Sequence, residues 1–171
     1  MKKKYIAFLR GVNVGGTGIL RMSELKITCE TLGFEQVRTY IQSGNVIFES
    51  ALSENKVIQK LEAALSIKLG KNIPVAVRTI EELSQILQKN PFSEEEPAKV
   101  GVMFFQRPIQ KDFLSGISTS TGEEVKANER EIFIYYPNGM GQSKLKLPKQ
   151  SESGTVRNIN TIQKIIGLSK G

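Results

Sequence analysis

The chain has 171 residues, 39% hydrophobic and 24% charged, which are globular proportions with length enough to bury one or two cores. Lys and Arg number 24 against 17 Asp and Glu, and the formal charge of +7 favours phosphate-bearing partners, although the Lys2-Lys3-Lys4 start and scattered surface lysines supply part of it. Histidine is absent and Cys29 is the single cysteine, so most metal sites, Ser-His-Asp catalysis and an internal disulfide are excluded, and no cofactor is expected. One cysteine and the lack of a long apolar run near the start lead to the expectation of a cytoplasmic protein that does not enter the membrane.

Residues 4–10, Lys-Tyr-Ile-Ala-Phe-Leu-Arg, form an apolar run of strand length and read as a buried strand. Residues 10–21 follow, with Gly11, Gly15, Gly16 and Gly18 between Arg10 and Arg21, and they empty into a helical pattern. Ser23 is expected to cap that helix, whose Met22, Leu25, Cys29 and Leu32 recur at helical spacing before Gly33; Cys29 is thereby a core residue rather than a reactive thiol. Val37, Thr39 and Ile41 alternate with Arg38, Tyr40 and Gln42, Ser43-Gly44 turns the chain, and Asn45-Val46-Ile47-Phe48 returns as the second arm of a hairpin. Val57, Ile58, Leu61, Ala64, Leu65 and Leu69 make a long helical stripe between a Ser53 cap and Gly70, and Pro74-Val75-Ala76-Val77-Arg78 is a further strand. Residues 4–78 thus spell strand, helix, strand, strand, helix, strand, the order of a ferredoxin-like sandwich.

Thr79 and Glu82 have capping-box spacing ahead of Leu83, Ile86 and Leu87, in a helix that must stop before Pro91. The acidic, proline-bounded residues 91–97 are the expected boundary, giving a first half over 1–79, a helix and linker over 80–97, and a second half over 98–171. The order then partly repeats: a strand over 100–105, a helix beginning near Pro108, strands over 123–127 and 130–136, and a possible helix start at Ser143. Arg10 and Arg107, near the ends of the two first strands, are the only residues that match between the halves, so the repeat is one of order. In the tail, Ile159, Ile162, Ile165 and Ile166 form one helical stripe, while Thr161, Lys164 and Arg157 fall on another side, read either as a solvated basic face or as a ligand-facing one. The expected class is α+β, with two ferredoxin-like halves, antiparallel sheets and helices packed on one face.

The loop over 10–21 has the parts of an anion site: flexible backbone donors, a helix N-terminus and guanidinium groups. Its glycines serve equally well for chain path alone. No Gly-Lys-Ser/Thr is present and the glycine spacing does not fit the dinucleotide fingerprint, which disfavours ATP hydrolysis and NAD binding. Acylphosphatases share the βαββαβ order and hold phosphate on a loop after the first strand; by that analogy of fold, Arg10 or Arg21 would grip phosphate and Asn45 or Gln42 would position water in a metal-independent hydrolysis of an acyl phosphate or phosphate ester. Single-stranded RNA binding is the second reading, with Tyr5, Phe8 and Tyr40 as stacking platforms, and a noncatalytic protein-interaction module is the third. Ser43 has no histidine to activate it and reads as a turn former.

Arg10-Gly11-Val12-Asn13-Val14-Gly15-Gly16, Leu32-Gly33-Phe34 and Val37-Arg38-Thr39-Tyr40-Ile41-Gln42-Ser43-Gly44-Asn45-Val46-Ile47-Phe48 resemble the bacterial family known as domain of unknown function 1697. Asn90-Pro91-Phe92, Tyr136-Pro137-Asn138-Gly139 with Ser143-Lys144-Leu145, and Thr155-Val156-Arg157-Asn158 with Thr161 and Lys164 resemble its later motifs. Ile159 departs from the tryptophan that often follows the Arg-Asn pair. The resemblance implies a duplicated ferredoxin-like fold and names no activity, because the family is itself uncharacterised. The sequence therefore points to a polar site for an anionic small molecule, or a nucleic acid, built from Arg10, Asn13, Gly15, Gly16, Arg21, Gln42, Ser43, Asn45, Arg157, Asn158 and Lys164. In it Arg10 and Arg21 bind the anion, the glycine amides cradle it, Asn13 and Asn45 orient it, and Arg157 with Lys164 extends the positive surface.

Overall fold

A computed structural model describes residues 1–13 and 19–170. The chain divides into two compact units, Met1–Leu83 with Ser169–Gly171, and Ser84–Leu168. The first contains β1 (Lys3–Leu9), α1 (Met22–Thr31), β2 (Glu35–Tyr40), β3 (Asn45–Ser50), α2 (Glu54–Leu69) and β4 (Val75–Thr79). Its sheet is antiparallel throughout, in the order β2-β3-β1-β4, which is the ferredoxin-like arrangement. Period-two alternation on the strands sends Tyr5, Ala7, Leu9, Val46, Phe48, Val75 and Val77 to one face. There they meet Leu25 and Cys29 of α1 and Val57, Ile58, Leu61 and Leu65 of α2 in one core.

The two helices end differently. Ser53 caps α2 by accepting from Lys56 N, and Gly70, at φ 69°, closes it with a bond from its amide to Ser66 O. At α1 the expected Ser23 cap is absent: the helix starts at Met22, which places Ser23 inside the first turn, and Arg21 stands at the cap position with no side-chain hydrogen bond. Beyond β4, Thr79 and Glu82 form the expected capping box, with Glu82 Oε1 accepting from Thr79 N at 2.9 Å and Thr79 Oγ1 accepting from Glu82 N at 3.1 Å. That box starts α3 (Ile80–Gln88), along which the boundary between the units falls.

The second unit contains β5 (Val100–Phe104), β6 (Glu124–Asn128), β7 (Glu131–Tyr135) and β8 (Thr155–Asn158), in the order β6-β7-β5-β8, and α4 (Ile159–Ser169) follows. The strand order repeats that of the first sheet, again antiparallel. The expected helix near Pro108 does not form. Ile109, Phe113 and Ile117 keep their apolar spacing and cover one face of the sheet, with Met103, Phe105, Ile132, Ile134 and Tyr136, but the backbone there runs through turns that end in a short 3-10 stretch, Leu114–Gly116. Residues after Ser143 likewise continue as an extended segment whose Lys146 bridges Ser118, not as a helix. Among the described residues no helix is long and apolar enough to cross a membrane.

Candidate functional site

The loop after β1 is held by Asn13. Its backbone is left-handed, at φ 59°, a conformation asparagine tolerates better than most side chains. Its Oδ1 accepts from Leu20 N at 2.7 Å, and its Nδ2 donates to Leu20 O at 2.8 Å and to Gln42 O at 2.7 Å. One carboxamide therefore joins both ends of the loop to each other and to the β2–β3 hairpin tip. Val12 and Leu20, on either side, are buried in the core and anchor those ends. The tip presses on the same place: Leu9 N donates to Gly44 O at 2.9 Å, and a Cβ on Gly44 would lie 2.7 Å from Val12 Cγ2.

The structure brings Asn13, Gln42 and Ser43 together around this junction, with Arg10 and Arg21 at the two outer ends of the loop. Arg10 is half-buried, its amide bonded to Pro74 O at 3.0 Å. The Arg21 side chain is 79% exposed and reaches Glu24 only at 4.0 Å, while Glu24 is drawn to Lys68 at 3.0 Å and its carboxyl is held below its ordinary range by that ammonium. Asn45 is fully buried at the start of β3, where its Nδ2 donates to Tyr40 O at 2.9 Å and Ser43 Oγ at 3.0 Å. The amide hydrogens of Asn13 and Asn45 thus serve the fold, and what these residues shape is the loop and hairpin. Gly15 and Gly16 lie outside the described residues.

In the second unit Arg157 is buried in β8, with Nη1 donating to Thr155 Oγ1 at 2.7 Å and Val156 O at 2.8 Å, and burial brings its pKa down to about 10. Asn158 caps α4 through Oδ1, accepting from Thr161 N at 2.8 Å, and Lys164 is exposed on that helix. The Tyr136 to Leu145 stretch folds around Glu123, a buried carboxylate that accepts from Thr121 Oγ1 and, at 3.0 Å, from Ser143 Oγ, bonds that lower its pKa against the effect of burial.

Sequence reasoning passed over Arg78, which is 1% exposed in β4. The signal was present, since Arg78 precedes the Thr79 cap as Arg157 precedes the Asn158 cap. Of the proposed stacking aromatics, Tyr5 and Phe8 are buried, with the Tyr5 hydroxyl bonded to Leu52 O at 2.7 Å, and Tyr40 is half-buried. Among the described residues no group of three or more His, Cys, Asp or Glu is placed to hold a metal ion.

Residues 1–133 match the model of a family described as "Protein of unknown function (DUF1697)". The chain belongs to this family. The DUF1697 match takes in the loop, the hairpin and the second sheet through Phe133, whereas the Tyr136 and Arg157 motifs lie beyond it. A solved structure of a conserved bacterial protein from Streptococcus pneumoniae is 23% identical to this DUF1697 chain, with a TM-score of 0.80 over 98% of each chain, a likeness of fold. No curated protein matches the sequence.

Proposed function

We propose that the protein binds a small anionic, phosphate-containing ligand at the loop between β1 and α1. The observation that carries the reading is the Asn13 clip, which ties residue 13 to Leu20 and to the hairpin tip and so holds the two ends of the loop together. Arg10 and Arg21 are the proposed anion-binding groups, and the first turn of α1, which has no side-chain cap, adds backbone donors and partial positive charge. Gln42 and Ser43 line the adjoining hairpin tip. The proposed site is confined to the first unit, because Arg157 and Asn158 already serve β8 and α4. We further infer a cytoplasmic location from the single, buried cysteine, and a duplicated origin from the shared strand order of the two sheets.

Thermal-shift measurements with inorganic phosphate, acyl phosphates, nucleotides and short RNA test the reading, because a ligand that binds only the folded protein raises its Tm. The expected result is stabilisation by phosphate-bearing small molecules that is lost in Arg10→Ala and Arg21→Ala. Stabilisation by RNA alone, falling steeply with salt, assigns the basic surface to nucleic acid instead. No stabilisation by any of them overturns the proposal and favours an interaction module.

A further inference from the structure

We infer that the protein binds a free α-amino acid with an apolar side chain, in a cleft lined by residues of the second unit. The cleft measures about 440 Å³, within the roughly 300–1,000 Å³ of small-molecule sites, and opens between residues 109–114 and the turn that joins β6 to β7. Ile109, Leu114 and Ala127 supply its apolar lining. Lys111 and Glu129 also border it, and both are exposed.

Local structure makes the cleft and keeps it open. Ile109 N donates to Glu129 O at 3.0 Å, which ties the segment to the turn, and Gln110 N donates to Gln150 Oε1 at 3.1 Å, which anchors the next residue. Phe113 is buried edge-on to Phe105, with ring centroids 5.7 Å apart, while the short 3-10 stretch that begins at Leu114 leaves that leucine 46% exposed. Ala127 pairs with Ile132 of β7, and strand alternation puts it on the face of Val125, which packs against the core. Alanine leaves open there the space that a larger side chain would fill. The charges then select the ligand. Lys111 and Glu129 carry opposite signs at one cleft, and among the described residues neither has an ion-pair partner. A simple anion would face Glu129 and a simple cation Lys111, each at a cost in repulsion. A zwitterion meets both: its carboxylate takes the Lys111 ammonium, its α-ammonium takes the Glu129 carboxylate, and its side chain covers Ile109, Leu114 and Ala127.

Titration of the isotope-labelled full-length protein with L-phenylalanine, followed by amide chemical shifts, tests this, with N-acetyl-L-phenylalanine, L-phenylalaninamide and glycine as comparisons. Phenylalanine is expected to bind saturably and to move the amides of residues 109–114 and 127–129. Removing its carboxylate or its ammonium is expected to weaken binding about fivefold, the factor of one exposed ion pair, and glycine is expected not to bind. Lys111→Met is expected to abolish the difference between phenylalanine and its amide, and Glu129→Gln the difference between phenylalanine and its N-acetyl derivative. Ala127→Phe, which fills the cleft, is expected to abolish binding in a protein whose circular dichroism shows it folded. The two charge substitutions fall on exposed side chains and decide the matter even where that variant does not fold. No saturable shifts, shifts confined to other residues, equal binding of phenylalanine and both blocked derivatives, or binding that survives in folded Ala127→Phe overturns the inference.

Discussion

Arg78 and Arg157 occupy corresponding positions in the two sheets. Arg78 lies opposite Ile6 of β1, Arg157 opposite Val102 of β5, and each stands one residue before a capping side chain that starts a helix. The correspondence extends to the third strands, where Asn45 faces Phe8 and Glu131 faces Phe104. All four polar residues are buried, on the face of each sheet opposite to the apolar face described above. A buried guanidinium persists only where hydrogen bonds replace its lost water, as Thr155 Oγ1 and Val156 O do for Arg157.

Arg157→Ala is therefore expected to destabilise the protein by roughly 3–5 kcal/mol, because it empties a buried volume and strands the groups that the guanidinium satisfied. Arg157→Met, which keeps the stem without the charge, is expected to lose less. Urea unfolding of both variants measures the difference. A loss below about 1 kcal/mol for the alanine variant would show that β8 does not depend on the buried cation.

What was legible in the sequence was local. The Ser53 and Gly70 ends of α2 and the Thr79–Glu82 box involve residues within four positions of one another, so spacing alone reveals them. Hairpin alternation and helical stripes similarly revealed the first unit. The segment after Pro108 misled because Ile109, Phe113 and Ile117 recur every four residues, as on a helix, while covering a sheet face that tight turns also cover. The Asn13 clip was illegible because it joins positions 13, 20 and 42, a contact that only the folded sheet brings about. The likeness of Arg78 to Arg157 was missed because the connections before β4 and β8 differ in structure, a helix in one and short 3-10 turns in the other. Register aligns Arg10 with Gln106 rather than Arg107, one position from the pairing that sequence order suggested.

Gly44→Ala tests the packing of hairpin on loop. At φ 86° the position disfavours any Cβ, and the added carbon would meet Val12 Cγ2 at 2.7 Å and Leu9 Cβ at 2.9 Å. Both contacts are with buried side chains that have little room to yield. The expected cost is roughly 2–5 kcal/mol, combining backbone strain with overpacking. A wild-type denaturation midpoint in this variant would mean that the hairpin tip is not seated on the end of β1.

Cys29 links burial to pH. Burial pushes its thiol up to about 12, and the phenol of Tyr136 up to about 12 likewise, against ordinary values of roughly 8.5 and 10. Between the ordinary and the folded values the unfolded chain has released protons that the native chain retains, so stability falls as pH rises through that window and is fully present below it. Native protein at pH 8 is expected to resist a thiol-specific disulfide reagent and to react once unfolded. Melting temperature is expected to fall more steeply between pH 9 and 11 in wild type than in Cys29→Ala. Rapid labelling of the native thiol at pH 8 would contradict its burial.

Ile41→Gly separates strain from function. Glycine meets no steric penalty at φ 51°, whereas isoleucine forfeits about 1–2 kcal/mol there, and glycine's greater freedom in the unfolded chain offsets roughly half of the gain. The net expectation is a protein more stable by about 0.5–1 kcal/mol, raising Tm by a few degrees at this chain length. Ile41→Asn, also at ease in the left-handed region without glycine's entropic cost, is expected to gain slightly more. Calorimetry of the two variants provides the measurement. If both melt below wild type, the isoleucine makes packing contacts that outweigh its backbone strain, and its presence at the tip is a matter of stability. If both melt above it, the native residue is held at a thermodynamic cost that its exposed side chain does not repay within the fold.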